Sequence, residues 1–166
     1  ISVYKPKLKW VNIDSLAPNV LMKQLYMSLN YDLVKAEHTY GDSRIDFYME
    51  KNGEKFLTEV KGCTLADDLH PGIGLFPDAP TERGVKHLHE LTKAAKEGCH
   101  TAIAFVIQMN GIHRVLPNET AQTEFKKALV EAAKAGVQVV CYSCHVEADR
   151  VKITSVTEDT SSYVNM

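Results

Sequence analysis

The sequence predicts a mixed α/β domain in which a central sheet, partly antiparallel and partly parallel, carries helices on both faces. Three observations lead there. Asn52-Gly53 separates two strand-like runs, SRIDFYME and KFLTEVK, as a tight hairpin turn would. Two segments of helical period each lead into an apolar run, TAIAFVIQ and VQVVCY, which is how helix-linked buried strands read. The 166 residues, 45% hydrophobic and 24% charged, fit one domain of ordinary globular composition.

Taken in order, Ile1 to Ile13 alternates partly between apolar and basic residues, as the last strand or two of something larger would. Strands this short do not form an independent sheet. Pro18 stands in the first turn of a helix carrying Val20, Leu21, Leu25 and Leu29, and Asn30 ends it. Leu33 to His38, Ser43 to Glu50 and Lys55 to Lys61 then make three consecutive antiparallel strands. Cys63 to Pro80, with Pro71, Gly72, Gly74, Pro77 and Pro80, reads as one long functional loop.

Thr81 caps a helix that Gly98 stops, with Val85, Leu88 and Leu91 on its inner face. The buried strand Thr101 to Gln108 follows. Thr123 opens a further helix with Phe125, Leu129 and Ala132 inward; Gly136 ends it ahead of the strand Val137 to Tyr142. Beyond Glu147 the chain is mostly polar, and residues 151–166 are expected to be peripheral.

Nineteen Lys and Arg against 21 Asp and Glu leave a net charge of -2, so a polyanion must be held by a local patch. The first ten residues include Lys5, Lys7 and Lys9 and lack the apolar stretch of a signal peptide. Four unevenly spaced cysteines suit a reduced compartment. A cytoplasmic protein without a membrane partner is the expectation; the residues do not fix an oligomeric state.

The chemistry concentrates on the hairpin. Within Glu59-Val60-Lys61 the outer two side chains share one face and Val60 takes the other. Folding the strands about Asn52-Gly53 sets Asp46 opposite Glu59. Like charges facing each other destabilise a sheet unless something offsets them. A divalent cation would do so, and two carboxylates with water and a carbonyl such as that of Val60 suit Mg²⁺ or Mn²⁺ better than Zn²⁺. Such a site suits phosphodiester hydrolysis, with Lys61 steadying the nucleophile or the transition state. A plain ion pair between Lys61 and Glu59 or Asp46 on a solvated face is the simpler alternative.

Asp46 with Glu59-Val60-Lys61 resembles the PD-(D/E)XK nuclease superfamily. The strings GDSRIDFYMEKNGEKFLTEVKGCTL and GLFPDAPTERGVKHLHEL are similar to the sugar fermentation stimulation protein A (SfsA) family, over residues from about Trp10 to Val146. The resemblance implies a restriction-endonuclease-like core at residues 14–150, DNA binding (RNA being open), and a link to regulation of sugar use. It also implies that residues 1–13 are the remnant of an N-terminal OB-like domain, a fold that binds oligonucleotides. Residue by residue, Asp46 and Glu59 match the metal carboxylates and Lys61 the catalytic lysine.

Arg44, Thr81, Arg83 and His87 are the candidate substrate contacts, because a loop-to-helix junction with a free guanidinium binds phosphate. Equally, Thr81 would only cap while Arg83 bonds to Glu82, Asp78 or a sheet carboxylate. His87 and His89 fall on different helix faces and read as surface residues, His87 one turn from Arg83. Val20 to Leu29 holds no carboxylate; either Asp67 or Asp68 fills the place the fold often gives one on its first helix, or the site binds one metal. Cys141-Tyr142-Ser143-Cys144-His145 matches a haem-attachment pattern, but it lies along an apolar strand and reads as buried thiols.

Overall fold

The computed structural model describes residues 1–166. An N-terminal hairpin, β1 (Ser2–Lys5) and β2 (Lys9–Asn12), precedes the helix α1 (Ala17–Ser28). Then come β3 (Leu33–Tyr40), β4 (Ser43–Lys51) and β5 (Glu54–Cys63), followed by two short strands, β6 (Leu65–Ala66) and β7 (Ile73–Phe76). The rest of the chain is α2 (Glu82–Lys96), β8 (His100–Ile107), β9 (Arg114–Pro117), α3 (Thr123–Lys134), β10 (Gln138–Val146), β11 (Val151–Glu158) and α4 (Thr160–Val164). None of the helices is long and apolar enough to cross a membrane.

The central sheet has six strands in the order β11-β10-β8-β5-β4-β3. Its β3, β4 and β5 are antiparallel, β8 runs parallel to both β5 and β10, and β11 closes the far edge antiparallel. This is the mixed α/β architecture the sequence predicts. The Asn52-Gly53 turn takes positive φ at both positions, 51° and 78°, as a two-residue hairpin turn requires.

Helices α2 and α3 cover one face, where Leu88, Leu91, Phe125 and Leu129 bury against Ile103, Phe105 and Ile107. On the other face α1 sets Met22 and Tyr26 against Phe47, Val60, Ala104 and Val106. Strand β8 is apolar on both sides because both of its faces are covered.

Three expectations need correction. Cys63 to Pro80 is not loop throughout: β6 and β7 join β9 in a second sheet of three strands. The pairing of β7 with β9 is parallel and bridges about forty residues, so no local pattern announces it. The strand predicted at Val137 to Tyr142 runs on to Val146. Residues 151–166 are not peripheral throughout, since β11 is the sheet's edge strand and Tyr163 is fully buried with its hydroxyl donating to the Val115 carbonyl. Polar residues mask this because an edge strand is solvated along one side and a single aromatic anchor has no periodicity.

The N-terminal hairpin is docked on the domain. Val11 is 1% exposed and forms an isolated bridge to Met109, and the Asn12 N–H donates to the Gln108 carbonyl at 3.0 Å.

Replacing Tyr163 tests the C-terminal anchor. Tyr163→Ala is expected to cost about 3–5 kcal/mol through the cavity it leaves, and Tyr163→Phe about 1 kcal/mol through the lost hydrogen bond. Urea midpoints at unchanged m-value measure both. A Tyr163→Ala midpoint equal to wild type would make the C-terminus an appendage after all.

Candidate functional site

The β4–β5 register follows the turn: Lys51 stands opposite Glu54, Met49 opposite Phe56 and Phe47 opposite Thr58. Asp46 and Glu59 are the next positions, and there the ladder opens. The Val60 N–H donates to Asp46 Oδ2 at 2.8 Å, and the Asp46 N–H donates to Glu59 Oε2 at 3.3 Å. On its other side β4 pairs Ala36 with Phe47 and His38 with Ile45, leaving out the Glu37–Asp46 pair, and Glu37 takes φ +56°. Ile45 buries on the α2 side and Phe47 on the α1 side. Residues two apart in a regular strand share a face, so β4 is twisted out of regularity at Asp46. Carboxylate oxygens take over from backbone carbonyls at this point of the sheet.

Helix α1 supplies a third group. Asn19, in its first turn, donates from Nδ2 to Asp46 Oδ1 at 3.0 Å. Close approach of α1 to β5 depends on Gly62, where a Cβ would fall 2.4 Å from Gln108 Oε1 and 2.9 Å from Pro18 Cγ. The helix therefore brings an amide, not a carboxylate, to the site.

Helix α2 supplies the fourth. Thr81 caps it by accepting the Gly84 N–H at 2.9 Å. From there the buried stripe Gly84, His87, Leu88, Leu91 and Ala94 faces the sheet. His87 Nδ1 lies 2.5 Å from Glu59 Oε1, and Lys61 Nζ lies 3.0 Å from the same oxygen. Lys61 Nζ is 3.3 Å from His87 Nδ1.

Burial and the neighbouring Glu59 charge raise the Asp46 carboxyl above the ordinary carboxylate range, although the Val60 N–H and Asn19 act the other way. Burial alone would raise Glu59 as well. Its hydrogen bond to His87 and the nearby Lys61 ammonium more than offset this and hold Glu59 below the usual value. A buried carboxylate, well compensated, thus stands beside a half-buried one whose compensation is incomplete.

Of the residues singled out in the sequence, Asp46, Glu59 and Lys61 come together. The Val60 side chain is buried on the α1 side while its N–H faces Asp46. In a strand the N–H and C=O of one residue point to the same neighbour, so the Val60 carbonyl faces the same gap. Arg44, on β4, and Arg83, in the first turn of α2, are exposed and make no ion pair. Arg83 bonds to none of Glu82, Asp78 or a sheet carboxylate. Asp67 is occupied in its own loop by the Leu69 N–H and His70, and no three or more His, Cys, Asp or Glu side chains are arranged together as a metal-binding set.

His87 corrects the surface assignment, being 4% exposed. Its spacing of three from Gly84 and four from Leu91 is that of the inner stripe. No local signal marks Asn19, which precedes the apolar run from Val20 and carries an amide in place of an acid. Cys141 and Cys144 are buried free thiols on opposite faces of β10.

The family model described as "Sugar fermentation stimulation protein RE domain" matches residues 13–150. The chain belongs to the sugar fermentation stimulation protein family. A sugar fermentation stimulation protein homolog of Ruminiclostridium cellulolyticum is 42% identical over 162 residues, which cover 95% of this chain and 70% of that one. A homolog from Desulfitobacterium hafniense is 42% identical over 147 residues, 86% of this chain. The chain spans 62% of the length of that second relative and 65% of a Clostridium botulinum homolog. In fold it is similar to a solved structure described as Pyrococcus furiosus SfsA in complex with Ca²⁺, with a TM-score of 0.76 and 22% identity over 95% of this chain and 67% of the other.

The raised Asp46 yields a signed expectation. Its folded-state value lies above the unfolded one, so its contribution to stability is present at acid pH and is lost as pH rises through the folded value. Asp46→Asn removes that loss and should raise stability at pH 7 by about 1 kcal/mol, a Tm increase of ~2–4 °C for a chain this size. The advantage should shrink as pH falls toward 4, where the carboxyl binds protons in both states. A thermal melt series in EDTA from pH 4 to 8 reads it, and a lower Tm for the variant at pH 7 would contradict the charge argument.

Proposed function

We propose that this family member binds nucleic acid, DNA in the first instance, on the face carrying Asp46, Glu59 and Lys61, and hydrolyses a phosphodiester there with Mg²⁺ or Mn²⁺. The observation that carries this reading is the opened ladder, where buried Glu59 and half-buried Asp46 meet beside a lysine. A sheet does not keep like charges together in its interior without a counter-charge. The set fits a hard divalent cation, because the atoms offered as ligands are oxygens and the compensation of the Asp46 carboxylate by the Val60 N–H and Asn19 is incomplete. Asp46, Glu59 through Oε2, and the Val60 carbonyl would hold the ion. When bound, it would supply Lewis-acid stabilisation of a phosphoryl oxygen and a more acidic water. The Ca²⁺ of the Pyrococcus furiosus SfsA structure supports an oxygen-ligand cation in proteins of this fold.

Lys61 keeps its ammonium on the same face as both carboxylates and would steady charge on the attacking or leaving oxygen. Arg44 and Arg83, exposed and unpaired, are placed for phosphate contacts. The overall net charge of -2 leaves binding to this face. On this reading the core is restriction-endonuclease-like, the protein acts in the cytoplasm, and the family's link to sugar fermentation reflects a role in regulation.

One observation favours a second reading, a DNA-binding regulator that keeps the cation without cleavage. Helix α1 offers the amide of Asn19 where a carboxylate would help hold a second ion.

A single experiment decides between the two. Single- and double-stranded DNA and RNA are incubated with the protein in Mg²⁺, Mn²⁺ or EDTA, beside Asp46→Ala and Lys61→Ala. The hydrolytic reading expects cleavage in metal that falls at least ~100-fold in either variant and stops in EDTA. Retention of DNA without cleavage in every arm supports the regulator, and absence of both at low salt, where phosphate contacts are strongest, rejects the nucleic-acid reading.

A further inference from the structure

Two side-chain donors share one oxygen of Glu59 and a backbone N–H meets the other, and this arrangement decides which oxygen has room for a ligand. Lys61 Nζ is a donor at any ordinary pH and sits 3.0 Å from Oε1. His87 Nδ1 sits 2.5 Å from the same Oε1. Nδ1 therefore carries the proton, because only Nδ1–H makes a bond to a carboxylate, and its 3.3 Å approach to Lys61 Nζ is the meeting of two donors on a shared acceptor. Oε1 is saturated. The other oxygen, Oε2, is turned toward the Asp46 N–H.

We propose that His87 is a positioning residue that pins Glu59 through Oε1 and so presents Oε2, which accepts only the Asp46 N–H and keeps a lone pair, as the ligand atom toward Asp46. The inference rests on the cation-site reading above and adds the residue that sets its geometry. His87 is suited to this because it comes from outside the hairpin. Lys61 shares a strand with Glu59 and moves with it, whereas His87 is carried by α2. That helix is fixed by the Thr81 cap, by buried Leu88 and Leu91, and by Gly84, where a Cβ would stand 2.7 Å from Thr81 Cγ2. A carboxylate held by one donor from its own strand can still rotate about its last torsion. A second donor from a separate rigid element removes that freedom. His87 thereby touches no substrate phosphate: it is walled off beneath Glu59, at 4% exposure.

The test is Mn²⁺ affinity by calorimetric titration, with Tm in EDTA recorded for each protein. His87→Leu keeps bulk and removes the donor. His87→Asn puts an amide N–H near the place of Nδ1, and His87→Gln carries its donor one bond too far. The expected result is Mn²⁺ binding weakened ~10–100-fold in His87→Leu, as for other residues that orient metal ligands, with most of the affinity restored in His87→Asn and not in His87→Gln. A folded His87→Leu that binds Mn²⁺ like wild type overturns the proposal. So does equal affinity in His87→Asn and His87→Gln, the comparison that decides if His87→Leu does not fold. Failure of the wild-type protein to bind Mn²⁺ is a separate outcome, which overturns the cation-site reading and this inference with it.

Discussion

Two carboxylates held side by side inside a sheet form the interaction on which the rest of this structure depends. A β-ladder is stable because each N–H finds a carbonyl, and at Asp46 that exchange is interrupted so that side-chain oxygens do the accepting. The interruption costs backbone regularity, seen as positive φ at Glu37 and a reversal of facing between Ile45 and Phe47. Everything packed nearby compensates: Asn19 and the Val60 N–H serve Asp46, and His87 and Lys61 serve Glu59. Compensation is uneven, and the uneven side is the one left open to an ion.

That arrangement also explains why the helices lie where they do. Helix α1 must come close enough to β5 for Asn19 to reach Asp46, and the missing side chain of Gly62 makes the approach possible. Helix α2 must start at a fixed point, which Thr81 provides, for its second turn to put His87 over Glu59. Apolar burial on both faces supplies the stability that offsets charges kept from water.

Much of the site was legible in the chain because a hairpin is a local device. Two residues of turn fix the register, register fixes which side chains oppose, and Asp46 follows from Asn52-Gly53 by counting. His87 and Asn19 were harder to read, since each reaches the site from an element distant in sequence. The sequence reads His87 as a surface residue; its spacing of four from Leu91 is compatible with the buried stripe, yet nothing in that spacing says what the stripe rests upon. The small second sheet was illegible for the same reason, its β7–β9 pairing being parallel and long-range.

The sequence by itself determined the mixed α/β class, the three-strand antiparallel run and the neighbourhood of Asp46 and Glu59, all of which follow from short-range periodicity and turn chemistry. Tertiary structure alone decided which oxygen of Glu59 is occupied, that Asn19 bonds to Asp46, that His87 is buried, and that the C-terminal segment closes the sheet and anchors Tyr163. The division has a physical cause. Local backbone preferences are written residue by residue, whereas the partner of a buried polar group is whichever group the packed elements bring within hydrogen-bond reach.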